Sequence, residues 1–168
     1  MKNKILISTG GSGGHVMPAV TIHDHLKTKY DIIISTDLRG IKYLDNNKYK
    51  VVVVNTPKLN NFFFIPIIVF RVFFLTLKSL LLLKKEKIEI LISTGGYMSL
   101  PLCWAAKILG IKIYLLEPNM VIGRANKFFL NFCEKIICYT NNIIGFPEKF
   151  KHKLVIINPL IRKEYYEK

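Results

Sequence analysis

A seven-residue motif that occurs twice constrains the fold of this chain most strongly. Residues 5–11 and 90–96 both read Ile-Leu-Ile-Ser-Thr-Gly-Gly, and each copy is followed by a proline within an apolar, helix-like segment. A short apolar run, a glycine turn and a helix form a unit that presents backbone N–H groups and a helix N-terminus at one point. The motif therefore predicts glycine loops that can hold an anionic group of the phosphate type.

The rest of the chain alternates between β-rich and helical patterns. The six further predicted strands are 31–35, 50–54, 89–93, 112–116, 135–139 and 153–157. The predicted helices are 17–29, 38–46, 66–85, 100–109, 123–132 and 141–150. This alternation predicts an α/β fold, a Rossmann-like three-layer sandwich with a seven-stranded parallel sheet. In such a doubly wound sheet the first and fourth strands are neighbours, and ligands bind above their carboxyl ends.

Composition narrows the function classes. The chain has 168 residues and half of them are apolar, which suits a single domain. Its net charge of +14 favours a polyanionic partner: nucleic acid, an acidic membrane surface or phosphorylated substrates. The three cysteines lack metal-ligand spacing, so we expect buried reduced thiols, no metal site and a cytosolic protein. The first apolar run is too short for a signal peptide.

The segment from Phe62 to Lys87 is unusually apolar and aromatic, but it is too interrupted to predict a membrane span. Three cations recur in it at intervals of seven residues: Arg71, Lys78 and Lys85. Seven residues are nearly two helical turns, so these cations form one stripe on a helix that is otherwise apolar. We expect one face to cover the sheet and the remainder to lie in the headgroup region of an anionic membrane. The predicted membrane residues are Phe70, Arg71, Phe74 and Lys78, with Phe62, Phe63, Phe64 and Phe73 as further aromatics.

Four motifs in order resemble the N-terminal half of the MurG family, the bacterial N-acetylglucosaminyltransferase that completes lipid II of peptidoglycan. They are Gly-Ser-Gly-Gly-His-Val-Met-Pro at 11–18, Gly-Gly-Tyr-x-Ser-x-Pro at 95–101, Glu-x-Asn-x-x-x-Gly-x-x-Asn at 117–126, and Asn158-Pro159. The resemblance implies the N-terminal half of a GT-B glycosyltransferase, with residues 1–168 as one acceptor-binding, membrane-associating domain. It also implies that a C-terminal donor domain is missing from this chain, which alone is then expected to be inactive.

The resemblance carries roles to individual positions. The implied substrate-binding residues are Ser12, Gly13, Gly14, Gly95, Gly96, Tyr97, Glu117, Asn119 and Arg162. His15 matches the family's loop histidine, either as a catalytic base for the acceptor hydroxyl or as a residue that only shapes the loop. A helix N-terminus favours the neutral imidazole that a base requires. The sequence departs from the family at Leu116 and Pro118, and Arg162 stands one residue late. The segment 37–40 is interpreted as an ordinary polar loop.

The implied reaction transfers N-acetylglucosamine from UDP-N-acetylglucosamine to undecaprenyl-pyrophosphoryl-N-acetylmuramoyl-pentapeptide, with inversion. The implied location is peripheral, at the cytoplasmic face of the bacterial inner membrane, without a cofactor. One alternative is a non-catalytic membrane-recruiting subunit of a two-chain N-acetylglucosaminyltransferase, and another is a relative that glycosylates diacylglycerol. A basic nucleic-acid-binding Rossmann domain is disfavoured because the aromatics are bunched in one apolar helix, so we expect no nucleic-acid partner. A dinucleotide oxidoreductase is disfavoured because Val16 replaces the third glycine of its motif.

Overall fold

The structure is a computed structural model that describes residues 2–56 and 65–161. Within these residues seven strands form one parallel sheet in the order β3-β2-β1-β4-β5-β6-β7. The strands are β1 Lys4–Ser8, β2 Asp31–Thr36, β3 Val51–Val53, β4 Ile90–Ser93, β5 Lys112–Glu117, β6 Lys135–Cys138 and β7 Leu154–Ile156. The predicted seven-stranded, doubly wound parallel sheet is confirmed.

The repeated motif forms the centre of this sheet. β1 and β4 are neighbours, and their register pairs Ile5 with Ile90 and Ser8 with Ser93. The four strand residues of one copy thus each lie beside their counterparts in the other. Because the two strands end at the same level, their glycine loops leave the sheet side by side.

In the part of the chain that the structure describes, four α-helices connect the strands: α1 Gly13–Leu26, α2 Ile65–Lys85, α3 Ser99–Ile108 and α4 Arg124–Phe129. Short 3-10 turns occupy Ile41–Tyr43 and Glu148–Lys153. The sheet is covered on both faces, as predicted. Leu6 and Leu91 point to a core shared with α2 and α3, whereas Ile5 and Ile7 point to a core shared with α1. Alternate strand residues therefore serve opposite layers, which is why the strands are apolar throughout.

Three helix predictions are wrong in detail. α1 begins at Gly13 and not at Met17, because the chain turns directly from the extended Ser12 into the helix. Residues 38–46 form a loop with one 3-10 turn at Ile41–Tyr43, because the backbone becomes extended at Leu44 and ends the turn there. Residues 141–150 form no α-helix, since Gly145 has a φ of +77° and the residue before the 3-10 turn is extended.

α2 buries one side and exposes the other. Leu83 is buried in the core shared with the sheet and α3, and Ile68, Thr76 and Ser79 are also buried. The exposed large apolar residues of this helix are Ile67, Val69, Phe70, Phe73, Phe74, Leu77 and Leu81. Within the described part of the chain, no helix combines the length and apolar character needed to cross a membrane. Phe62, Phe63 and Phe64 lie outside the described residues.

All three cysteines are buried and free, as predicted. Burial raises the pKa of the Cys103 and Cys138 thiols to about 12 and also raises the pKa of Cys133. These thiols therefore belong to the core rather than to a reactive site.

Candidate functional site

The two glycine loops are joined by the threonines that precede them. The Thr94 hydroxyl donates to the Thr9 hydroxyl over 2.8 Å, and the Thr94 N–H donates to the carbonyl oxygen of Ser8 over 3.0 Å. Both threonines are fully buried. The loops are therefore anchored to each other at the carboxyl edge of the sheet.

Glycine is required in both loops by the backbone. Gly11 has a φ of +85°, and Gly95 and Gly96 have φ values of +90° and +82°. L-residues with a side chain rarely adopt this region. The turns bring Ser12, Gly13 and Gly14 to the N-terminus of α1, where the N–H groups of an α-helix are available to an anion.

His15 bridges the two loops. It lies in the first turn of α1, and its Nδ1 is 2.7 Å from the carbonyl oxygen of Thr94. A carbonyl oxygen only accepts, so Nδ1 carries the hydrogen in this bond. In the neutral ring the lone pair is then on Nε2, which is the arrangement a general base needs.

Glu117 organises the loop that follows β5. Its carboxylate is only 2% exposed. It accepts hydrogen bonds from the Asn119 amide at 2.9 Å, the Gly123 N–H at 2.7 Å and the Asn126 amide at 3.0 Å. Asn119 N–H adds a longer bond of 3.3 Å to the same carboxylate. Two carboxylate oxygens accept about four hydrogen bonds, so the loop's own donors saturate this group.

These elements surround one cavity of about 220 Å³ at the carboxyl ends of β4 and β5. Its lining residues are His15, Gly95, Gly96, Tyr97, Glu117, Asn119, Gly123, Arg124, Ala125 and Asn126. Six of the site residues predicted from the sequence meet here: His15, Gly95, Gly96, Tyr97, Glu117 and Asn119. Ser12, Gly13 and Gly14 lie at the start of α1 beside it, and Arg162 lies outside the described residues.

Four residues of the cavity wall had no role predicted from the sequence: Gly123, Arg124, Ala125 and Asn126. Asn126 is 2% exposed, and its amide donates to the carbonyl oxygen of Leu116 over 3.0 Å and to Glu117. The sequence did contain a signal for Asn126, because it is the last residue of the Glu-x-Asn-x-x-x-Gly-x-x-Asn motif. What the motif could not show was that this amide turns back onto the glutamate.

The loop after β2 is more than an ordinary polar loop. The buried Asp37 carboxylate accepts the N–H groups of Gly11 at 3.1 Å and Gly40 at 2.8 Å, and pairs with Arg39 through Nε at 2.7 Å and Nη2 at 2.6 Å. Burial alone would raise the pKa of Asp37, but these hydrogen bonds and the guanidinium charge lower it below its usual value. Asp37 therefore fastens the first glycine loop and holds a cation beside it.

The predicted membrane residues lie along one open groove on α2. Phe70, Arg71, Phe74 and Lys78 line a groove of about 450 Å³ together with Asn55, Ile67 and Leu75. The Phe70 and Phe74 rings contact edge to face with centroids 4.7 Å apart. Exposed aromatics and cations thus share a single surface, which we call the α2 surface.

The fold and the paired glycine loops place this chain in the class of Rossmann-like α/β domains whose ligand site lies at the carboxyl edge of the sheet. A family comparison makes this specific: the profile of the glycosyltransferase family 28 N-terminal domain matches residues 5–138, and the chain belongs to that family.

The similarity to curated relatives confirms the resemblance seen in the sequence. The chain is 53% identical, over its full length and 48% of the relative, to UDP-N-acetylglucosamine--N-acetylmuramyl-(pentapeptide) pyrophosphoryl-undecaprenol N-acetylglucosamine transferase of Pelagibacter ubique (strain HTCC1062). It is 36% identical, over 98% of the chain and 42% of the relative, to the protein of the same name from Rickettsia prowazekii (strain Madrid E). The chain therefore spans about half the length of the curated relatives it matches.

A solved structure shows the same fold. The crystal structure of Acinetobacter baumannii MurG superimposes with a TM-score of 0.73 at 19% identity, covering 88% of this chain and 44% of that one.

Proposed function

We propose that this chain is the acceptor half of an N-acetylglucosaminyltransferase of peptidoglycan synthesis. The donor would be UDP-N-acetylglucosamine and the acceptor undecaprenyl-pyrophosphoryl-N-acetylmuramoyl-pentapeptide. The observation that carries the proposal is the cavity in which His15 bridges the two glycine loops. The proposal is also supported by the 53% identity to a relative whose name states this reaction.

In the proposed reaction His15 is the catalytic base. Its Nε2 takes the proton from the acceptor hydroxyl while the hydroxyl oxygen bonds to the anomeric carbon of the donor sugar. The bond from that carbon to the UDP oxygen breaks, and UDP leaves with the electron pair. Attack from the face opposite UDP inverts the anomeric centre.

The remaining site residues bind and orient in this proposal. Backbone N–H groups of Ser12, Gly13 and Gly14 take the acceptor pyrophosphate, since a helix N-terminus stabilises negative charge there. Gly95, Gly96 and Tyr97 form the opposite wall. Asn119 contacts the donor, while the saturated Glu117 acts by holding Asn119 in place. Arg162 is proposed to add a phosphate or donor contact.

We propose that the half of the relatives not matched by this chain holds most of the donor nucleotide. Residues 1–168 would then form one domain that is inactive by itself. Closure of two domains over the cavity would exclude water from the transfer.

The proposed location is peripheral, at the cytoplasmic face of the bacterial plasma membrane. Aromatic side chains in the headgroup region and cations facing anionic lipids are a common means of peripheral attachment. The α2 surface offers both, with Phe70 and Phe74 next to Arg71 and Lys78. It would bring the cavity to a substrate whose lipid tail stays in the bilayer.

The test is binding of the 168-residue chain to vesicles of phosphatidylglycerol and phosphatidylethanolamine, with and without the pyrophosphate-linked muramyl acceptor. Gly14→Trp adds a ring next to the first loop at an exposed position, where a Cβ meets no atom closer than 3.7 Å. We expect it to remove the acceptor-dependent part of binding. Lys29→Trp, at an exposed position beyond the other end of α1, is the control.

Two double variants test the role of the α2 surface in membrane attachment. The double change Arg71→Glu and Lys78→Glu should abolish binding to acceptor-free vesicles. Lys2→Glu with Lys112→Glu changes net charge equally at exposed positions away from the α2 surface, and should reduce binding only slightly. Acceptor-dependent binding that survives Gly14→Trp would overturn the proposed acceptor site.

A further inference from the structure

We infer that Thr9 and Thr94 are positioning residues that hold His15 in the tautomer with its lone pair on Nε2. The use of this tautomer in catalysis rests on the proposed function, whereas the tautomer itself can be tested without it. The two threonines occupy the same position in the two copies of the repeated motif.

The hydroxyl pair connects elements that are far apart in sequence. Thr94 donates to Thr9 over 2.8 Å, while the Thr9 N–H donates to the carbonyl oxygen of Ser35 over 2.8 Å. Both side chains are fully buried, where a hydrogen bond has no competition from water. The start of the second loop is therefore tied to the first loop and, through it, to β2.

The peptide group between Thr94 and Gly95 is the part that this anchor controls. Its N–H donates to the Ser93 hydroxyl over 3.2 Å, and its carbonyl oxygen accepts from His15 over 2.7 Å. The two residues that follow are glycines with positive φ, which alone would let this peptide group rotate easily. A fixed Thr94 removes that freedom, so the carbonyl stays directed at His15.

The carbonyl in turn decides which nitrogen of His15 can act as a base. A neutral imidazole carries one hydrogen, and the bond to a carbonyl requires it on Nδ1. If the carbonyl turns away, the form with its hydrogen on Nε2 becomes populated, and that form cannot accept a proton there. The buried threonine pair thus increases the fraction of His15 able to take a proton through Nε2.

The experiment reads the tautomer directly from the imidazole nitrogen shifts of His15, by proton–nitrogen correlation spectroscopy at a pH where the ring is neutral. The wild-type chain should show hydrogen on Nδ1. Thr94→Val removes the hydroxyl with little change of shape and should lower the ratio of the Nδ1–H to the Nε2–H form about 2- to 10-fold, as expected for loss of one hydrogen bond. Thr94→Ser keeps the hydroxyl and should restore the wild-type ratio.

Thr21→Val is the matched control. Thr21 is also buried, and its hydroxyl also donates a hydrogen bond, to the carbonyl oxygen of Met17 within α1. Its loss should lower stability without changing the tautomer. Thr9→Val removes the Thr9–Thr94 bond from the other side and should reproduce the result of Thr94→Val, which keeps the test decisive if one variant fails to fold.

Two results would overturn the inference. One is wild-type His15 with its hydrogen on Nε2, and the other is an unchanged tautomer ratio in folded Thr94→Val or Thr9→Val. Neither result depends on acceptor binding. Failure of the vesicle experiment with an intact tautomer shift would instead reject the proposed function alone.

Discussion

Replacing Asp37 by alanine should strongly destabilise the first glycine loop and the loop after β2. Its carboxylate is 1% exposed and accepts N–H groups of Gly11, Arg39 and Gly40 at 3.1, 3.2 and 2.8 Å. Each such bond to a charged acceptor contributes on the order of 1 kcal/mol or more. The Arg39 side chain is 43% exposed and can return to water, so its pairing adds little. We expect a loss of about 3 kcal/mol in the free energy of unfolding.

Urea denaturation followed by circular dichroism measures this loss. Asp45→Ala is the matched control, because the Asp45 carboxylate accepts one backbone N–H, that of Asn47 at 2.9 Å, at an exposed position. That variant should lose about 0.5 kcal/mol. Equal midpoint shifts for the two variants would refute the view that Asp37 fastens the first glycine loop.

The lowered pKa of Asp37 predicts how the stabilisation by its carboxylate depends on pH. The pKa of Asp37 is lower in the folded chain than its ordinary value, so the carboxylate stabilises the fold above that ordinary value, about 3.9. The stabilisation is lost as the pH falls from there through the folded pKa. The difference between wild type and Asp37→Ala should therefore be full near neutral pH and shrink below about pH 4. A difference that grows on acidification would contradict the lowered pKa.

Three further predictions concern the rest of the domain. Leu83→Ala, at a position 1% exposed, should cost about 2–5 kcal/mol of stability in urea denaturation. Leu81 lies on the other side of the same helix and is 71% exposed, so Leu81→Ala should cost about 0.5 kcal/mol. Equal losses for the two variants would mean that the two faces of α2 are wrongly assigned. Lys153→Met should lower stability by about 2 kcal/mol in thermal unfolding, because the Lys153 Nζ donates to three carbonyl oxygens after α4. Its control is Lys151→Met, which breaks only an exposed ion pair and should cost below about 1 kcal/mol. Cys103, whose pKa is raised to about 12 by burial, should resist iodoacetamide in the folded chain and react only in urea, as mass spectrometry would show; rapid labelling of the folded chain would contradict its burial.

The strands, three of the helices and the position of β1 beside β4 could be predicted from the sequence, because they follow from local patterns and from the regular alternation of elements. Apolar runs of four or five residues between turns define strands, whereas the register that pairs Ile5 with Ile90 came from the structure. The helical predictions failed where the backbone leaves the helical region. Leu44 is extended and Gly145 has a φ of +77°, and the helical patterns in residues 38–46 and 141–150 do not reveal these breaks.

The sequence motifs also selected most residues of the cavity, but not the role of each in the geometry. His15 and Thr94 are 79 positions apart, and Asn126 and Leu116 are 10 apart. The repeat and the alternation of elements determined that two glycine loops leave the sheet side by side. Only the tertiary structure decided which nitrogen of His15 bears the hydrogen and that Glu117 is saturated by its own loop. The physical reason is that hydrogen-bond partners between separate loops depend on distances and directions in space, which a local sequence pattern does not encode.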